Sequence, residues 1–150
     1  MAFKIKNFDE YKSEYHKSIT DPFSFWEDKA DSFQWFKKWD KVCESNFTTG
    51  ENRWFDGAKL NITTNVIDRH VKDFPDKIAI IWEGNELDNE SRKVTYQELY
   101  DNVCIFGNLL KKRGVNKGDR VCIYMPMIIE SVYAMLACAR IGAVHTVVFA

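Results

Sequence analysis

Apolar residues bunch most densely toward the end of the chain, where residues 121–150 read VCIYMPMIIESVYAMLACARIGAVHTVVFA, punctuated by Pro126 and Gly142. Val121 to Met125 is short, bounded and rich in β-branched and aromatic side chains, the pattern of a strand covered on both faces. Met127 to Ile141 is too long for a strand and holds Ala134, Met135, Leu136, Ala137 and Ala139. It stops at Gly142, which suits the left-handed residue just past a helix end. Val144, Val147 and Val148 mark a return to strand. Strand, helix and strand over this length predict two parallel strands joined by a right-handed crossover.

The same alternation reaches back to Ile78. The run IAIIW (Ile78 to Trp82) predicts a first buried strand, and after the polar stretch Glu83 to Ser91 the residues Arg92, Lys93 and Val94 can return as the second arm of a hairpin. Thr95 and Glu98 have the spacing of a capping box, with Val94 and Leu99 placed to staple the entry. Leu99, Val103, Phe106 and Leu110 then share one helical face. Lys111, Lys112 and Arg113 fall where a helix C-terminus favours cations, and Gly114 caps it. Asn116 to Asp119 turn the chain into the next strand. From Ile78 onward the expectation is an α/β fold, a parallel sheet with crossover helices, whose three strands are apolar on both faces. A third strand left as an open edge, with no later helix to cover the second face, makes the chain read as cut short.

Upstream the pattern changes. Asn61 to Phe74 places Ile62, Val66, Ile67, His70, Val71 and Phe74 along one helical stripe that Pro75 ends. Adjacent helical positions point about 100° apart, so Asp68, Arg69 and His70 do not converge on one substrate by themselves. A half-buried structural His70 beside a solvated or paired Asp68 and Arg69 is the expectation. Before residue 56 stand 14 of the 22 aromatic residues, with few aliphatic ones. Asp21 and Pro22 form a helix start, followed by Phe23, Trp26, Ala30 and Phe33 at helical spacing. The remainder, through Trp35, Trp39, Asn46, Gly50 and Gly57, lacks a sustained period and predicts an aromatic, mostly irregular arm that anchors on another surface through its rings. The division that follows is an extension over residues 1–74 and a strand-helix-strand-helix-strand body over 75–150.

Charge narrows the partners. A net charge of -1 leaves no electrostatic footprint for nucleic acid, and the aromatic arm lacks the excess of basic residues that base stacking requires. Pro126, Glu130 and Arg140 interrupt the one apolar stretch that approaches membrane length, and the charged N-terminus does not resemble a signal peptide. No nucleic acid, no membrane and a cytoplasmic location are expected. Cys43, Cys104, Cys122 and Cys138 lie far apart, in no CxxC pair, and read as reduced packing residues.

The chemistry is sparse. The seven glycines never cluster, and neither GxGxxG nor GxxxxGK[ST] occurs, so no phosphate cradle is present. Ser131 has no base at a fixed offset, and no GxSxG elbow exists. His145 lies in the last strand, facing core or crevice, and is assigned a structural role. Glu130 suits the first turn of its helix through the helix dipole.

Several stretches carry a resemblance. DPFSFW (Asp21 to Trp26), WFDGAKLN (Trp54 to Asn61), NVIDRH (Asn65 to His70), IIWEG (Ile80 to Gly84), YMPMIIE and MLACARIGAVHTVVFA are similar to the N-terminal part of the acetyl-CoA synthetase family of adenylate-forming enzymes. VTYQEL (Val94 to Leu99) resembles the first core motif of that superfamily. The likeness covers about Tyr11 to Ala150, and Ala58 stands where the family usually has a second glycine. The resemblance implies an AMP-forming ligase that uses acetate, ATP, CoA and Mg2+. The family's phosphate loop, acyl pocket and catalytic lysine all lie C-terminal to the matched region. The segment alone is therefore expected to be inactive and to bind none of these ligands tightly. It also implies that Phe149 and Ala150 border the CoA site, where the family continues into a Gly-Phe-Ser loop. Propionyl-CoA synthetase, another short-chain acyl-CoA ligase, or a freestanding binding or regulatory module are the alternatives.

Overall fold

A computed structural model describes residues 5–85 and 91–148 and divides the chain into two compact units, Met1–Leu60 and Asn61–Ala150. The order of elements is α1 (Phe8–Thr20), α2 (Pro22–Asp31), β1 (Lys41–Asn46), β2 (Glu51–Asp56), a π-turn (Thr64–Asp68) running into α3 (Arg69–Asp73), β3 (Ile78–Trp82), β4 (Arg92–Thr95), α4 (Tyr96–Lys112), β5 (Arg120–Tyr124), α5 (Ile129–Ile141) and β6 (Val144–Val148).

The first unit is more regular than its sequence pattern predicts. Asn7 caps α1 by accepting the Glu10 N–H at 2.8 Å, and the Glu10 carboxylate reaches back to the Lys6 N–H at 2.6 Å. On the exposed face of α1 the rings of Phe8, Tyr11 and Tyr15 stack in a row. Asp21 and Pro22 start α2 as expected, the Asp21 carboxylate accepting the Ser24 N–H. β1 and β2 form an antiparallel hairpin with Asn46 opposite Glu51, and the Asn46 side chain closes the loop by accepting the N–H groups of Thr48 and Thr49. The rings that suggested an anchoring arm cluster on one another here. Phe55 lies 5.6 Å from Trp35, 5.2 Å from Trp39 and 6.0 Å from Trp54, centroid to centroid. Gly57 cannot be replaced cheaply, because a Cβ there would overlap the Asp40 carboxylate and φ is +72°. Ala58 keeps a negative φ, so its methyl causes no backbone strain.

In the second unit the helix over residues 64–73 ends before Pro75 as expected, but its stripe is split. Ile67 is fully buried, whereas Ile62, Val66 and Phe74 are exposed. The π-turn at Thr64–Asp68 interrupts the regular helical period inside the stripe. The capping box at Thr95 and Glu98 is present, and the stapling pair Val94 and Leu99 is buried in the core with Ile67, Val103, Ile129, Tyr133 and Ala137. A second cluster of Ile123, Ala134, Cys138 and Ala143 continues it, bridged by Phe106 and Leu110. Burying Ile67 alone contributes about 2 kcal/mol. Helices α4 and α5 approach closely where Gly107 faces Ile141.

The α/β reading holds, with β5 and β6 pairing in parallel from Arg120 opposite Val144 to Tyr124 opposite Val148. The expectation of three parallel strands beginning at Ile78 does not hold among the described residues. β3 pairs antiparallel with β4, as the hairpin reading of Arg92 to Val94 allowed, and has no ladder to β5. A local return satisfies the β3 backbone without a crossover. Nor are the strands buried on both faces. In β5 only Ile123 is buried, and every residue of β6 is exposed.

Candidate functional site

The strongest candidate region is the carboxyl end of the parallel pair, since ligands of open α/β sheets gather beyond the ends of their strands. β5 leaves the sheet at Tyr124, which is exposed, and passes through Met125 and Pro126 to Met127. The Trp82 indole donates to the Met127 carbonyl at 2.8 Å, tying β3 to the β5–α5 connection across 45 residues. At the start of α5 no side chain caps from Ile128. Ser131 instead turns back and donates its hydroxyl to the Ile128 carbonyl at 2.7 Å. Glu130 faces Arg92 at 3.8 Å on the surface, an arrangement that adds little to stability. Beside it the Tyr133 phenol is buried, and burial pushes it above its ordinary value.

Phe149 and Ala150, the two residues singled out from the resemblance, lie outside the described residues; β6 ends just before them at Val148. His145 stands exposed on β6 opposite Val121. His70 is half-buried and stacks on Tyr96 with centroids 4.8 Å apart. Asp68 is paired with Arg140 at 2.5 Å, so its carboxylate is not aimed at His70 as an acid–base partner. The four cysteines are free thiols. Cys138 is buried, and burial raises its thiol, while Cys122 is exposed rather than packed. Cys104 lies beside Tyr100, and its proximity raises the phenol above its ordinary value.

Among the described residues no group of three His, Cys, Asp or Glu side chains converges to hold a cation. Five glycines have positive φ, at 50, 57, 114, 118 and 142, but they are scattered over separate turns and present no row of N–H groups. No helix among the described residues is long and apolar enough to cross a membrane.

One arrangement escaped sequence reasoning. Asn61 donates its side-chain amide to the carbonyls of both Ala139 and Arg140, at 3.0 Å each, from nearly 80 residues away. Nothing in its local pattern distinguishes this Asn from a loop residue.

Comparison with known proteins decides the family. Residues 67–150 match the model described as AMP-binding enzyme, and residues 11–66 match that described as acetyl-coenzyme A synthetase N-terminus. The chain belongs to the AMP-binding enzyme family. It is 52% identical over 142 residues to an acetyl-coenzyme A synthetase of Alkalilimnicola ehrlichii, covering 94% of this chain and 22% of that protein. It is 54% identical over 149 residues to one of Magnetococcus marinus, covering 99% and 23%. Among solved structures, an acetoacetyl-CoA synthetase from Streptomyces lividans superposes with a TM-score of 0.80 at 29% identity, over 89% of this chain and 20% of that one. The chain thus spans about a fifth of the length of the curated relatives it matches, and corresponds to their N-terminal part.

Proposed function

We propose that this segment is the N-terminal part of an AMP-forming acetate–CoA ligase. Acetate and ATP give acetyl-adenylate and pyrophosphate, and the thiol of CoA then displaces AMP to give acetyl-CoA. The observation that carries the reading is the identity of 52% over 94% of the chain to a protein named acetyl-coenzyme A synthetase. ATP, CoA and Mg2+ are the co-reactants in this reading. In this reading they are held by residues outside this segment. The segment contributes scaffold: the core of α4 and α5, and the parallel pair whose β6 exit, at Phe149 and Ala150, borders the CoA site. Residues 1–74 act as the extension and residues 75–150 as the first part of the AMP-binding body, in a cytoplasmic protein acting on small molecules. Acetate-dependent exchange of labelled pyrophosphate into ATP tests the reading. The full-length polypeptide is expected to catalyse it and the 150-residue chain is not; a full-length protein without acetate-dependent exchange overturns it.

A second reading, a ligase for another short-chain acid such as propionate, draws support from the likeness to an acetoacetyl-CoA synthetase. The acyl pocket lies outside this segment in either case. Competition between acetate, propionate and acetoacetate in the same exchange assay separates the two.

A further inference from the structure

The matches to the two family descriptions meet between residues 66 and 67, inside the π-turn, and the sequence pattern divides the chain after residue 74. The contacts divide it elsewhere. Lys59 is tied back into the first unit: its N–H donates to the Lys37 carbonyl at 2.9 Å, and its own carbonyl accepts the N–H groups of Phe36 at 2.7 Å and Lys37 at 3.1 Å. Two residues later Asn61 is committed to the second unit, through the carbonyls of Ala139 and Arg140.

From Asn61 to Asp73 the chain forms a strap across α4 and α5, and it completes their core rather than covering it. Ile67, fully buried, shares one cluster with Val94, Leu99, Val103, Ile129, Tyr133 and Ala137, and Val71 packs against the same cluster. Thr63 and Asn65 are 1% and 4% exposed, and the Thr63 N–H and hydroxyl both donate to the Asn61 side-chain oxygen, at 3.0 and 2.7 Å. Asp68 takes the Arg140 guanidinium, and His70 stacks on Tyr96 at the start of α4. Detaching the strap leaves a hole the size of a side chain at Ile67, the last carbonyls of α5 without those donors, and a half-buried Arg140 without its carboxylate. A segment held by surface contacts opens by itself at low energy, whereas one that completes a core opens only with that core.

We propose that residues 61–73 are an obligatory part of the folding unit of the AMP-binding body, opening cooperatively with α4 and α5, and that the folding seam of the chain lies at Leu60. The final stretch of the extension therefore folds with the body and not with the aromatic unit before it. All of these contacts lie within the second unit and are independent of the chemistry proposed above.

Native-state hydrogen exchange on the full-length polypeptide tests the seam with two mild variants placed away from the strap. Ile123→Val removes one methyl group from the cluster of Ala134, Cys138 and Ala143, to which no described strap residue belongs. Exchange is expected to speed up about fivefold at the protected amides of α4 and α5 and by the same factor at those of residues 63–71, with the β1–β2 hairpin unchanged. Phe55→Leu, which thins the ring cluster of Trp35, Trp39 and Trp54, gives the converse: faster exchange in the hairpin and no change in the strap. Strap amides that keep their rate in Ile123→Val while α4 and α5 speed up show a strap that opens by itself, and overturn the proposal. Strap amides that follow the hairpin in Phe55→Leu overturn it as well, by placing the seam after the strap.

Discussion

Thr95 and Glu98 hold each other's backbone at the start of α4: the Glu98 N–H donates to the Thr95 hydroxyl at 3.2 Å, and the Thr95 N–H donates to the Glu98 carboxylate at 2.8 Å. Two donors that the helix leaves unpaired are thereby satisfied, and Val94 and Leu99 close over them from the core side. Thr95→Ala is expected to cost about 1 kcal/mol, read as a lower midpoint in denaturant unfolding at constant slope, with Thr95→Ser recovering most of it.

Acid sensitivity follows from the carboxylates. Lys29 first and Lys17 second hold Glu14 below the usual carboxylate range, and the backbone and hydroxyl of Thr95 do the same for Glu98. A folded value below the unfolded one means that the native state releases its proton more readily. The stabilisation is then complete above the unfolded value, near 4.5 for glutamate, and is lost as pH falls through the lowered folded value. Stability is expected to be flat from neutral pH down to about 5 and to fall below that. Glu14→Gln should make the decline shallower when followed by fluorescence of Trp26, Trp35, Trp39 and Trp54, all in the first unit. An equally steep decline in that variant refutes the assignment.

What was legible in the sequence is what neighbouring residues decide among themselves. The Asp21–Pro22 start, the Thr95–Glu98 box and the Gly142 stop each rest on contacts within five residues, and the parallel pair follows from the length of chain between its strands. The antiparallel partner of β3 was offered by the return at Arg92, yet the run IAIIW suits a parallel strand equally well. Helix α1 was obscured because its one-sided face, Phe8, Tyr11, Tyr15 and Ile19, is exposed and mostly aromatic. The extra residue of the π-turn leaves no mark in composition. Asn61 meets its two carbonyl partners only when α5 arrives beside it, so that contact exists in tertiary structure alone.

Gly107 looks obligatory, since it is buried where α4 meets α5, but its surroundings say otherwise. A Cβ built there meets only Ile141 Cγ2, at 3.4 Å, an ordinary contact distance, and no positive φ demands glycine. Alanine in a helix interior is favoured over glycine by roughly 0.5–1 kcal/mol. Gly107→Ala is therefore expected to be neutral or stabilising by up to about 1 kcal/mol, and Gly107→Val to destabilise by about 1–3 kcal/mol through overpacking. Thermal unfolding of the two variants checks the pair. A large loss in the alanine variant shows that Ile141 cannot yield.

Gly142 should behave in the opposite way. Its φ of +77° is one that a side chain strains to adopt, and a Cβ would stand 3.0 Å from Lys117 Cγ. Gly114 shares the strain at φ +90° but has nothing within 4 Å of a Cβ, so it isolates the backbone contribution. Gly114→Ala is expected to cost about 1–2 kcal/mol, and Gly142→Ala somewhat more. Lys117 is the flexible partner in that contact, so Lys117→Ala should remove the excess and leave the backbone cost in place. A double-mutant cycle on Gly142 and Lys117 measures the difference, and a coupling energy of zero means that the lysine swings aside and that the left-handed backbone alone makes glycine necessary where α5 passes into β6.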